Sequence, residues 1–176
     1  MRLNHSAAGC YRRSLRRSSW WTIAALAACS GSDGSEIPAH DPCAPLAIFG
    51  VASSDAQRDG IAGALALWRD RGVVAFDIAA EPAPATPAAS LEIRFDDAAP
   101  VFHGLYDPSA GRVLINRDLV DAATVAIVIT HEFGHAFGLV HIAPAARVSV
   151  MNPDNLITPP TTADQAALVA LWGTCR

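Results

Sequence analysis

Apolar positions along this chain recur with two periods, and breaks between them fall at Gly, Pro, Ser and Asp. Leu46-Ala-Ile-Phe-Gly-Val51 is a short apolar run that reads as a strand. Ser53 or Ser54 can then cap a helix over 55–71, in which Ile61, Leu65 and Trp68 recur at spacings of four and three. Gly72 supplies its stop. Residues 73–78 are apolar and β-branched, which predicts a strand, and Pro82, Pro84 and Pro87 make 81–89 a loop. Leu91-Glu-Ile-Arg-Phe95 alternates as a half-buried strand does; 101–106 and 112–116 predict two more strands around the turn Asp107-Pro-Ser-Ala-Gly111. A long helical stretch follows over 121–137, then loops at 143–146 and 152–160. A last helix, capped by Thr161 or Thr162, runs to Trp172 with Asp164 in its first turn, where a negative charge suits the helix dipole. No internal repeat interrupts this order, which is that of an α+β domain.

Composition adds two constraints. Hydrophobic residues make up 51% of the 176 and charged residues 17%, enough for a packed core. Charge is unevenly placed. Residues 1–28 hold five Arg and no acid, whereas 29–176 holds eight basic and seventeen acidic side chains, a net −9. Nucleic acid is therefore excluded as a partner, since phosphate binding needs clustered Lys or Arg.

The basic segment is an address. Arg-Arg-Ser-Leu-Arg-Arg at 12–17 precedes the apolar stretch 18–28, which is shorter than the roughly 20 residues a spanning helix needs. A basic start, a short apolar core and small residues at its end describe an export signal. Its end, Leu26-Ala27-Ala28-Cys29, resembles the lipobox of bacterial lipoproteins. That resemblance implies cleavage after 28, lipidation of Cys29 and anchoring in the cell envelope, with Ser30 pointing to the outer membrane. An unlipidated Cys29 would make the protein secreted. The Gly/Ser run that follows suits a flexible tether, taken as 29–42, ahead of a domain at 43–176. His40 is expected to be solvated there. Two cysteines remain in the domain, Cys43 and Cys175, and an exported chain with two such cysteines suggests a disulfide.

His131-Glu132-Phe133-Gly134-His135 lies in the predicted helix 121–137. A spacing of four sets both imidazoles on one helical face, where they can grip one ion, with Glu132 placed to reach water beside it. A zinc site needs a third protein ligand and an open fourth position. His141 is the candidate, but a continuing helix would carry it about 120° away from His135 at roughly 100° per residue. The chain must leave the helix at Gly138, where a left-handed φ costs little. By this chain's residue frequencies the whole pattern arises by chance about once in 10⁵. No nearby Cys completes a closed four-ligand structural site.

His-Glu-x-x-His-x-x-Gly-x-x-His at 131–141 resembles the zinc signature of the metzincin endopeptidases. Ser149-Val-Met-Asn-Pro153 resembles the family's methionine turn, with Met151 beneath the metal, and is closest to the matrixin-like members. Asp164 and Trp172-Gly173 stand where that family has an early helical Asp and a final aromatic-Gly pair. The likeness covers roughly 46–173 and is motif-specific only over 131–151. It implies a small, twisted, mostly parallel sheet with an active-site helix and a C-terminal helix. It also implies one catalytic Zn²⁺ on His131, His135 and His141, Glu132 as general base, and an extended peptide lying along 101–106 beside a pocket walled by 152–161. Matrixins carry a blocking cysteine ahead of the domain, so Cys43 has a second reading as a blocking thiolate. His103 is either a surface residue or part of a second metal site, and nothing in the sequence marks a calcium loop. The functional expectation is a monomeric zinc endopeptidase acting on extracytoplasmic proteins. The alternative is a zinc-containing lipoprotein that binds peptide or protein without cleaving it.

Overall fold

A computed structural model describes residues 39–52, 54–78, 90–97 and 102–175. The signal segment 1–28, Cys29 and the first part of the expected tether lie outside these residues.

The elements are β1 (Leu46–Val51), α1 (Asp55–Arg69), β2 (Phe76–Ile78), β3 (Ser90–Asp96), β4 (Gly104–Asp107), β5 (Arg112–Asn116), α2 (Ala122–Ala136) and α3 (Thr162–Trp172). The strands form one sheet in the order β2-β1-β3-β5-β4, parallel throughout except for the antiparallel pair β4–β5. This is the α+β architecture expected from the order of elements.

Alternation decides which face of the sheet is covered. Leu46, Ile48, Leu91, Ile93, Val113 and Ile115 are buried, while the residues between them along each strand are less so. The buried set packs with Ala64, Leu65 and Trp68 of α1 and Val125, Val128, Ile129 and Phe133 of α2. On the opposite face the register sets Glu92 beside Arg112, and their side chains meet at 2.6 Å. Helix α2 is buried from Val125 to Gly134, which suits a segment with scarcely any polar side. It is held from two directions: the Trp68 indole donates to Thr130 O, and the Trp172 indole to Phe137 O, both at 2.9 Å.

The caps follow local chemistry. Ser54 caps α1, Asp121 caps α2, and Thr161 caps α3 in a reciprocal capping box with Asp164. Two strand boundaries differ from expectation. The strand at 73–78 pairs only from Phe76, because the amides of Val74 and Ala75 are taken by Pro42 O and that of Val73 by Trp68 O. The strand expected at 101–106 pairs over Gly104–Asp107.

Cys43 and Cys175 are joined by a disulfide, which ties the segment ahead of β1 to the segment after α3. Cys43 is therefore no blocking thiolate. His40 is also corrected: it is buried, and its amide donates to Ala136 O at 2.7 Å, so residues at the end of the expected tether lie against α2. Proline at 42 and the bridge at 43 fix this strand of chain, which a Gly/Ser pattern further upstream does not reveal. None of the described helices is long and apolar enough to cross a membrane.

Candidate metal centre

The second half of α2 carries His131 and His135 one turn apart, as their spacing requires. The helix ends in a Schellman turn: Leu139 N–H donates to Gly134 O and Gly138 N–H to His135 O, both at 2.9 Å. Gly138 has φ of 90°, a conformation that side chains disfavour. This turn returns His141 to the face of α2, so that the ligand atoms of His131, His135 and His141 all lie within 4.8 Å of one another. The expected role of Gly138 is thus present as backbone geometry.

Backbone carbonyls set the tautomers. His131 Nδ1 lies 2.7 Å from Val150 O, and His135 Nδ1 lies 2.9 Å from Leu139 O. A carbonyl only accepts, so both Nδ1 atoms carry protons and both Nε2 atoms present lone pairs. His141 Nε2 stands 3.1 Å from each of them. A single proton on His141 can satisfy one of those contacts; a shared cation satisfies both. Tetrahedral ligands at about 2.0–2.1 Å from zinc are themselves about 3.3 Å apart, close to the spacing seen here. The three histidines can hold a metal ion, and the donor set of three imidazoles suits zinc.

Burial lowers the His131 imidazole, with His141 opposing its protonation further, and pushes His135 down to about 4. Both are then neutral at pH 7, the form a metal needs. Glu132 is 6% exposed, and desolvation pushes its carboxyl up to about 7, offset in part by the Tyr106 amide. A divalent cation beside it would draw that value down again. Glu132 does not join the ligand group, although it lines the same cleft as the three histidines. The cleft has a volume of about 360 Å³ and is bounded by His103–Tyr106 on one side and Pro153–Asn155 on the other.

The segment around Met151 ties the site together. Met151 is buried, its carbonyl accepts from Ile142 N–H at 2.9 Å, and the preceding carbonyl, of Val150, holds His131. Asn152 donates to Ile142 O and Arg147 O. One turn thereby braces the first ligand directly and the third through its neighbour. Asp164 anchors the turn from α3. It is fully buried and accepts from Ser149 Oγ, Arg147, Val150 N–H and Thr161. Desolvation raises its carboxyl, but the hydrogen bonds from Ser149, Thr161 and Val150 outweigh burial and hold it below the usual range.

His103 is exposed at the mouth of the cleft, and among the described residues it joins no cluster of three or more potential ligands. The Val150 O, Leu139 O and Tyr106 N–H contacts have no mark in the sequence. They are backbone groups, so no residue type announces them.

No protein-family model matches the chain, and no curated protein matches its sequence. The assignment of a metal site therefore rests on the histidine geometry.

Proposed function

We propose that this chain is a zinc-dependent endopeptidase of the metzincin type, similar to the matrixins. It is exported, held in the envelope by acyl chains on Cys29, and acts on extracytoplasmic proteins or peptides. The observation that carries the reading is the convergence of three Nε2 atoms beside a buried carboxylate that is not one of the ligands. A structural site has no use for such a carboxylate. The disulfide supports an oxidising, extracytoplasmic location.

A zinc ion held by His131, His135 and His141 would act as a Lewis acid on water and on a scissile carbonyl, lowering the water's pKa toward about 7. Glu132 is the group that takes the water's proton and returns it to the leaving amine. Val150 O and Leu139 O keep the ligand rings in the tautomer that presents Nε2. Strand β4 lies at the edge of the sheet and lines the cleft, so an extended peptide can pair with it while a side chain enters beside Pro153–Asn155.

The test is metal content and cleavage of a quenched peptide library by the purified chain, with and without a chelator, beside Glu132→Ala. One zinc per chain, with cleavage lost to both treatments, supports the reading. One zinc with no cleavage of any peptide replaces it with a zinc-containing binding module.

A further inference from the structure

We propose that the backbone of β4 at Gly104 and Tyr106 is the positioning element for the Glu132 side chain. The inference rests on the reading of Glu132 as general base for its functional consequence, but the contact itself can be measured independently.

Two observations converge. Tyr106 N–H donates to Glu132 Oε2 at 2.8 Å. On the other side of the carboxylate, a Cβ added to Gly104 would stand 2.8 Å from Glu132 Oε1, 3.0 Å from its Cγ and 2.6 Å from Val128 Cγ1. The strand thus bonds one carboxylate oxygen and leaves no room for a side chain beside the other, so that only glycine at 104 fits without a shift.

Strand parity explains the arrangement. Asn116 N–H donates to His103 O, so His103 and Leu105 direct their backbone groups toward β5, whereas Gly104 and Tyr106 direct theirs outward. The outward N–H groups of an edge strand ordinarily meet water or another strand. Here one of them is committed to the Glu132 carboxylate. Glu132 has three side-chain torsions to fix. The bond selects one arrangement before substrate arrives, and it withdraws one N–H from the edge that a peptide would pair with.

The experiment has two arms on the zinc-loaded chain. Amide hydrogen exchange by NMR is read at Tyr106 in the wild type and in Glu132→Ala. The proposal expects protection of this edge amide that falls about 10-fold or more when the carboxylate is removed. Kinetics then compare Tyr106→Pro, which lacks the N–H, with Tyr106→Ala, which keeps it. Proline at 106 removes no β4–β5 ladder bond, since this N–H points away from β5, and it replaces the donor beside the carboxylate with a ring carbon. The proline variant is expected to lose about 10-fold or more additional kcat, with KM nearly the same and zinc retained. Gly104→Ala should move kcat the same way. Tyr106 exchange that is indifferent to Glu132→Ala overturns the proposal, as do equal kcat values for the two Tyr106 variants. If the chain cleaves nothing, or Tyr106→Pro does not fold, the exchange measurement still decides whether β4 holds the carboxylate.

Discussion

Met151 Sδ lies directly against Gly134, so closely that a Cβ on that glycine would stand 2.3 Å from the sulfur. The second variable position of the His-Glu-x-x-His segment is thereby tied to a turn seventeen residues later. Met151 supports α2 between its two histidines, and only a residue without a side chain leaves room for it.

Gly134→Ala should therefore cost about 1–3 kcal/mol of stability and weaken zinc binding, because the thioether has to move within a packed core. In a Met151→Ala background the same substitution should cost much less, since the obstruction is gone. Urea denaturation of the four proteins in the cycle measures the coupling. Additive effects would show that the two residues do not compete for one space.

Loss of any one of His131, His135 or His141 to Ala should remove stoichiometric zinc. A decline larger than the 10–100-fold typical of an outer hydrogen-bond partner is expected. His103→Ala should leave zinc content at one per chain. Metal analysis after dialysis against a weak chelator distinguishes these variants.

Without metal, pH should act on stability in two opposed ways. The folded-state carboxyl of Glu132 titrates near 7, above its unfolded value, so the folded state binds the extra proton and stability falls as pH rises from about 4.5 to 7. His135 titrates near 4, below its unfolded value, so its contribution to stability grows as pH rises from about 4 to 6.5. His131 shifts in the same direction as His135. Glu132→Gln removes the first effect and should leave a chain whose stability in chelator climbs across that window. Denaturation midpoints measured from pH 4 to 8 test this; parallel curves for the two proteins would mean that Glu132 is not desolvated as described.

Asp164→Ala should destabilise by about 3–5 kcal/mol, because it leaves Arg147, Ser149 and the Val150 amide without their shared acceptor. Since Val150 also holds His131, zinc should dissociate faster from this variant. A zinc-release assay separates that effect from simple unfolding when it is run well below the denaturation midpoint.

The bridge between Cys43 and Cys175 spans 132 residues, and its removal by the paired serine substitutions should cost about 2–5 kcal/mol. Thermal melts of oxidised and reduced protein provide the check, and equal melting temperatures would show that the bridge constrains nothing.

Local chemistry was enough to mark the helices. The sequence offers Ser53 or Ser54 and Thr161 or Thr162 as caps, and the structure uses Ser54 and Thr161; Asp121, at the start of the expected helical stretch, is the cap of α2. The spacing of His131 and His135 was also legible from helical geometry, and the turn at Gly138 from that geometry together with the requirement that His141 join them. Strand edges were less so. Val73–Ala75 has strand-like residues, yet its amides are taken by Pro42 and Trp68, partners that no local pattern specifies.

What the tertiary structure alone decided is how the site is held. Burial of His40, the carbonyls of Val150 and Leu139 on the ligand rings, and the Tyr106 amide on Glu132 all join segments distant in the chain or use main-chain atoms. Residue types identify which side chains can bind a metal or move a proton. The backbone groups that orient them are chemically alike at every position, so their roles emerge only when the fold brings a particular carbonyl or amide to a particular ring or carboxylate.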